Sequence, residues 1–118
     1  MIRVKHPQDL RSVAQLEPQQ PLWQRVPTRT DAGEPAADFM MLVRKLNRMA
    51  HVQQQRIMDM LFDVLQRYSD LILLADMNMK MNLLWVSHVP RPGLGLEIAS
   101  MLHHAVPEAR LISHYIHR

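Results

Sequence analysis

Residues 36–69 read AADFMMLVRKLNRMAHVQQQRIMDMLFDVLQRYS, and how this stretch folds decides the architecture of the chain. Its apolar residues Phe39, Leu42, Val43, Leu46, Met49, Ala50, Ile57, Met60, Leu61, Val64, Leu65 and Tyr68 recur at spacings of three and four. That is the period of an amphipathic helix. Arg44, Arg48, His51, Gln55, Asp59, Asp63 and Arg67 fall on the opposite side, and Asp63 stands four residues before Arg67 in the favourable orientation. The start signals agree. Thr30 or Asp31 can cap, Glu34 and Asp38 suit the positive end of the helix dipole, and Pro35 is tolerated in a first turn. The spacing therefore predicts one helix from residue 34 to 69. It would be roughly three times the mean helix length, and HVQQQ (51–55) thins the apolar stripe at a point where the helix either bends or breaks.

Downstream, DLILLADMNMKMNLLWVSHV (70–89) reads as strand, loop, strand. Leu71–Ala75 and Leu83–Val89 are apolar on both faces, which suits covered strands. Asp76, Asn78, Lys80 and Asn82 make the interval turn-prone, and without Gly a loop longer than two residues is expected. PRPG (90–93) ends the second strand and opens a helix that Pro107 stops. ARLISHYIHR (109–118) alternates as a closing strand.

Upstream, residues 1–33 hold four of the eight Pro, together with Gln8, Gln15, Gln19, Gln20 and Gln24. Pro removes backbone donors, so this segment is expected to be an arm, loosely ordered or docked, ahead of a single α/β domain at 34–118. LWQRV (22–26) supplies a candidate edge strand, and Trp23 a candidate anchor. Counting that strand, the order is βαββαβ. The expected class is α+β, ferredoxin-like or a close variant, with a small sheet and one long and one short helix on one face.

Composition narrows function by exclusion. At 118 residues the chain fits one domain, and 47% hydrophobic against 21% charged residues is globular. The absence of Cys removes disulfides, thiolate metal sites and Cys nucleophiles. A net charge of +3 is only mildly basic, and with 5% aromatics there are few stacking platforms for nucleic acid, which leaves Arg44, Lys45, Arg48 and Arg56 a weak footprint. No stretch approaches the ~18 apolar residues of a membrane span, and MIRVKHPQDLRSVAQLEPQQP lacks the apolar core of a secretory signal. A cytoplasmic location is the expectation.

Chemistry-bearing motifs are few. Met77, Met79 and Met81 repeat at the spacing a copper(I) site uses, with His88 near, but the ten Met scattered along the chain make packing the simpler reading. His103 and His104 are adjacent and diverge on a helix. Ser87 and His88 point to opposite faces of one strand and cannot pair as nucleophile and base. No catalytic residue, metal or cofactor is therefore expected. The turn at 88–95 is different. His88 and Arg91, with Gly93 and Gly95 leaving helix N–H groups accessible, form a candidate ligand- or anion-binding site.

WVSHVPRPGLGLEIASML (85–102) resembles the strand–turn–helix of ACT domains in Arg91, Pro92, Gly93, Leu94, Ile98 and Leu102. The resemblance implies a ferredoxin-like fold, dimers, and amino-acid binding at that turn. It departs from the family at Pro90, where an acidic residue is usual, and at VPEAR (106–110), where Gly-x-Asn follows the helix. Two functions are thus expected in competition. One is a non-catalytic regulatory or adaptor module acting as a homodimer, with Phe39, Leu42, Leu46, Met49 and Trp23 at the interface and the N-terminal arm offered to a protein partner. The other is a small-molecule sensor using the PRPG turn.

Overall fold

The computed structural model describes residues 2–4 and 35–116. Strands β2 (Ala37–Val43), β3 (Ile72–Asn78), β4 (Leu83–His88) and β5 (Ala109–Ile116) form an antiparallel sheet in the order β3-β4-β2-β5. A short strand β1 (Ile2–Val4) extends it beside β3, Val4 opposite Ala75. Helix α1 (His51–Gln66) joins β2 to β3, and α2 (Leu94–Ala105) joins β4 to β5. Each helix carries the chain to a parallel strand with one strand lying between, β4 in the first case and β2 in the second. The class is α+β.

The single helix expected over 34–69 is a strand, a turn and a shorter helix. In β2, Phe39, Met41 and Val43 are buried in the core while Met40 and Leu42 on the other face are half-buried. Phe39, Leu42, Val43 and Leu46 happen to fit a period of 3.6, but the run ADFMMLV is apolar at nearly every position. Such a run buries both sides of a strand hydrogen-bonded to β4 and β5, whereas a helix facing water would waste half of it. Lys45 then turns the chain with φ 62°, and a single 3-10 turn, Leu46–Arg48, carries fully buried Leu46 into the core. The helix begins only at His51, in the HVQQQ stretch that thins the stripe. The Gln54 side chain donates to the Leu46 carbonyl at 2.9 Å, which also accepts the Met49 N–H at 3.2 Å, and so ties the helix to the 3-10 turn. The candidate strand at 22–26 and Trp23 lie outside the described residues, and β2 fills the first strand position instead.

One apolar layer separates the sheet from the helices. Ile57, Leu61 and Leu65 of α1 and Ile98 and Leu102 of α2 pack on Phe39, Met41, Met77, Leu84 and Val86. Burying each such side chain is worth about 1.5–3 kcal/mol. The hydroxyl of Tyr68, just past α1, hydrogen-bonds Glu97 in the first turn of α2. Burial first, and this carboxylate second, push its pKa above the ordinary value.

The β3–β4 connection is held from outside. Asn82 adopts φ 60°, its Oδ1 accepts from the Asn47 backbone N–H at 2.8 Å, and its Nδ2 donates to Asn47 Oδ1 at 3.3 Å. Asn47 Nδ2 donates to the Lys80 carbonyl at 3.1 Å, and Met81 N–H to Asn78 Oδ1 at 3.1 Å. The three methionines of this region differ in setting. Met77 is in the core, Met79 packs against it, and Met81 is 58% exposed at the turn. Among the described residues no helix is long and apolar enough to cross a membrane.

Candidate ligand-binding cleft

Strand β4 ends where α2 begins, and the backbone there is tightly specified. Val89 N–H donates to the Leu71 carbonyl at 2.9 Å, which fixes the strand end against the chain entering β3. Gly93 caps α2 with φ 76°, a conformation that costs other residues roughly 1–2 kcal/mol. Glu97 N–H then closes the first helical turn on the Gly93 carbonyl at 2.9 Å.

Above this turn lies a cleft of about 200 Å³ lined by Asp38, His88, Arg91, Gly93, Gly95 and His114, among others. All four residues singled out in the sequence, His88, Arg91, Gly93 and Gly95, share it. Three hollows of about 500–520 Å³ elsewhere are larger but more open to solvent. One of them gathers Arg44, Lys45 and Arg110, with Glu108 among the basic side chains. None of the three contains a buried polar side chain. The small cleft does.

That side chain is His88, 3% exposed. Its Nδ1 lies 2.8 Å from the Val89 carbonyl oxygen. A carbonyl only accepts, so Nδ1 carries the proton, and Nε2 of the neutral ring presents a lone pair. Among the described residues the ring is held by that one hydrogen bond at Nδ1. Burial holds the imidazole below its ordinary value of 6.5, against the pull of the Val89 hydrogen bond and the Asp38 carboxylate. The ring is fixed on one side by Phe39, with centroids 5.8 Å apart and planes at 45°. It is fixed on the other by Gly95, where an added Cβ would sit 2.9 Å from Nε2 and 3.3 Å from Cε1. Gly95 is therefore glycine for space, and Gly93 for backbone conformation, since nothing lies within 4 Å of the Cβ it lacks.

The arrangement offers two kinds of contact. Arg91 and the first amides of α2 suit a negative group. His88 Nε2 suits a hydrogen-bond donor. Asp38 also lines the cleft and sits in β2, not in a first helical turn; a lone carboxylate inside ADFMMLV is the signal available in the sequence.

The remaining expected positions are dispersed. Phe39 and Leu46 are inside the core, Leu42 is half-buried on the sheet face away from the helices, and Met49 is partly buried against the core. Ser87 pairs opposite Asp38 and His88 opposite Ala37, so the two side chains take opposite faces of the sheet. His103 donates from Nδ1 to the Ala109 carbonyl at 2.7 Å, tying α2 to β5. Among the described residues no group of three His, Cys, Asp or Glu is placed to hold a metal ion. The chain matches no known family model, so the likeness to ACT domains rests on residues 85–102 alone. Neither a curated protein nor a solved structure shows significant similarity to it.

Proposed function

We propose that the chain is a non-catalytic, ligand-binding regulatory module whose ligand enters the cleft at the β4–α2 turn. The observation that carries this reading is His88, a buried imidazole lining the cleft with Nδ1 committed to the Val89 carbonyl, while Arg91 and the start of α2 stand beside it. A ligand with one anionic group and one hydrogen-bond donor complements both sides. The volume of about 200 Å³ limits it to a small molecule. The ferredoxin-like description belongs to the same reading, supported by two helices that each cross one intervening strand. So does a cytoplasmic setting, which the Cys-free sequence suits.

Calorimetric titration with inorganic phosphate and with small carboxylates, some bearing an amine or hydroxyl, tests the proposal. Binding of at least one class, weakened tenfold or more in Arg91→Gln, is expected. Binding that Arg91→Gln and His88→Gln both leave unchanged would place the site elsewhere.

Homodimerisation is the second reading. It is favoured by Val52 at 81% exposure and by Met60, which flank a hollow between α1 and the end of α2. Light scattering at micromolar concentration checks it, and a mass of one chain throughout would exclude it.

A further inference from the structure

The face of the sheet turned away from both helices is built as a second interior. Met40 and Leu42 of β2 stand directly opposite Trp85 and Leu83 of β4, and all four are half-buried. Beside them Leu74 of β3 is 4% exposed, yet it does not belong to the core that the helices cover. Ser87, its cross-strand neighbour, is 1% exposed. The indole Nε1 of Trp85 is buried and has no hydrogen-bond partner among the described residues. Strands that faced water here would leave their polar residues exposed. On this face even Asp76, opposite Trp85, is 1% exposed.

Topology says what is at hand to cover this face. Strand β1 runs antiparallel to β3 and leaves the sheet at Val4, heading towards the end where Ile72 pairs with His88. Strand β2 enters at that same end, where Ala37 pairs with His88. Between them stand β3 and β4, so the two strands are about 14 Å apart at the usual spacing. The residues from 5 to 34 must join these points, and fully extended they would reach on the order of 100 Å. So long a segment is far more than the gap requires, and the helices already occupy the other face. Its sequence is suited to a cover. Leu10, Val13, Leu16, Leu22, Trp23 and Val26 supply apolar area, while its Gln side chains and Pro-interrupted backbone supply acceptors for an indole N–H.

We infer that the sheet face formed by Met40, Leu42, Leu74, Leu83 and Trp85 is a docking surface for residues 5–34 of the same chain. The domain then has two apolar layers, one under the helices and one under its own N-terminal segment.

The chain contains no Cys, so introduced thiols report cleanly. In the full chain, Trp23→Cys is combined with Leu42→Cys on the docking face or, as a control, with Met60→Cys on α1, which is 39% exposed. Each pair is treated with a short bis-maleimide at low micromolar concentration and analysed by mass spectrometry. The expected result is an intrachain link at least tenfold more abundant for Leu42 than for Met60. Equal yields would overturn the inference. So would products that join two chains only, because the occupant would then be a second copy. A second measurement avoids reliance on cysteine variants. Trypsin should cut after Arg25 and Arg29 at a rate independent of protein concentration, and at least tenfold faster in Leu42→Asp. Cleavage as fast in the wild-type chain as in a urea-unfolded sample would equally overturn it.

Discussion

The two ends of the sheet are finished in opposite ways. At one end, the β3–β4 turn is fastened to the 3-10 turn by Asn47 and Asn82, whose side chains satisfy each other and the neighbouring backbone. At the other, the β4–α2 turn sets the buried His88 beside a cleft, its Nδ1 on the Val89 carbonyl. A closed hydrogen-bond set serves stability, because its groups have nothing left to offer. A buried imidazole lining a cleft still has a ring nitrogen to offer. One end is fastened by its own side chains, and the other borders a cleft.

The comparison breaks most severely at the closed end. Asn82→Val puts a β-branched residue at φ 60° and removes both Asn47 contacts. A loss of about 2–3 kcal/mol is expected from the left-handed backbone and two net hydrogen bonds together. Urea midpoints measure it, and phosphate or carboxylate binding in the folded fraction should be unaltered. A smaller effect is expected at the open end from Gly95→Val, which drives side-chain atoms into His88. Overpacking of this kind typically costs about 1–3 kcal/mol. Here ligand binding should vanish even in protein that remains folded, and retained affinity would sink the cleft as the site.

Gly93→Val sharpens the contrast between the two glycines. It should lower the midpoint through backbone strain near φ 76° without filling space around His88, and by more than Met79→Leu. The latter exchanges residues of similar volume and should cost under about 1.5 kcal/mol. Equal midpoints for the two variants would remove the argument from conformation.

The smallest expected effect is a slope against pH. The folded-state pKa of His88 lies below its ordinary 6.5, so near and below pH 6.5 the unfolded chain binds more protons at this site. Its contribution to stability is therefore full above about pH 6.5 and declines as pH falls towards the folded-state value. His88→Gln should flatten that part of the profile. Parallel stability–pH curves for the two proteins would show that burial does not disfavour the charged ring.

Legibility in the sequence followed punctuation. From Asp70 onward every element was placed, because Pro and Gly stop and start the chain at 90–93 and Pro107 marks the end of α2. The residues of that turn, His88, Arg91, Gly93 and Gly95, line one cleft. Between Ala36 and Ala50 there is no Pro or Gly, and an unbroken apolar run satisfies a helical period and a buried strand equally well. The decision there is made by β4 and β5, which lie far along the chain and are invisible to local spacing. Asp38 belongs to that strand, opposite Ser87, and not to a first helical turn.

The position of β2 has a consequence for how the chain is made. It is the first strand of the four-stranded sheet in sequence, yet its neighbours are β4 and β5, the last two. Pairings so distant in sequence form slowly. During synthesis, residues 37–43 leave the ribosome before either partner exists, with both backbone edges open and apolar side chains on both faces. The β3–β4 hairpin can close early, but β2 must wait for β5 to emerge. For that interval it is the segment of this chain most exposed to pairing with a neighbouring nascent copy, and the one a holdase chaperone would have most reason to occupy.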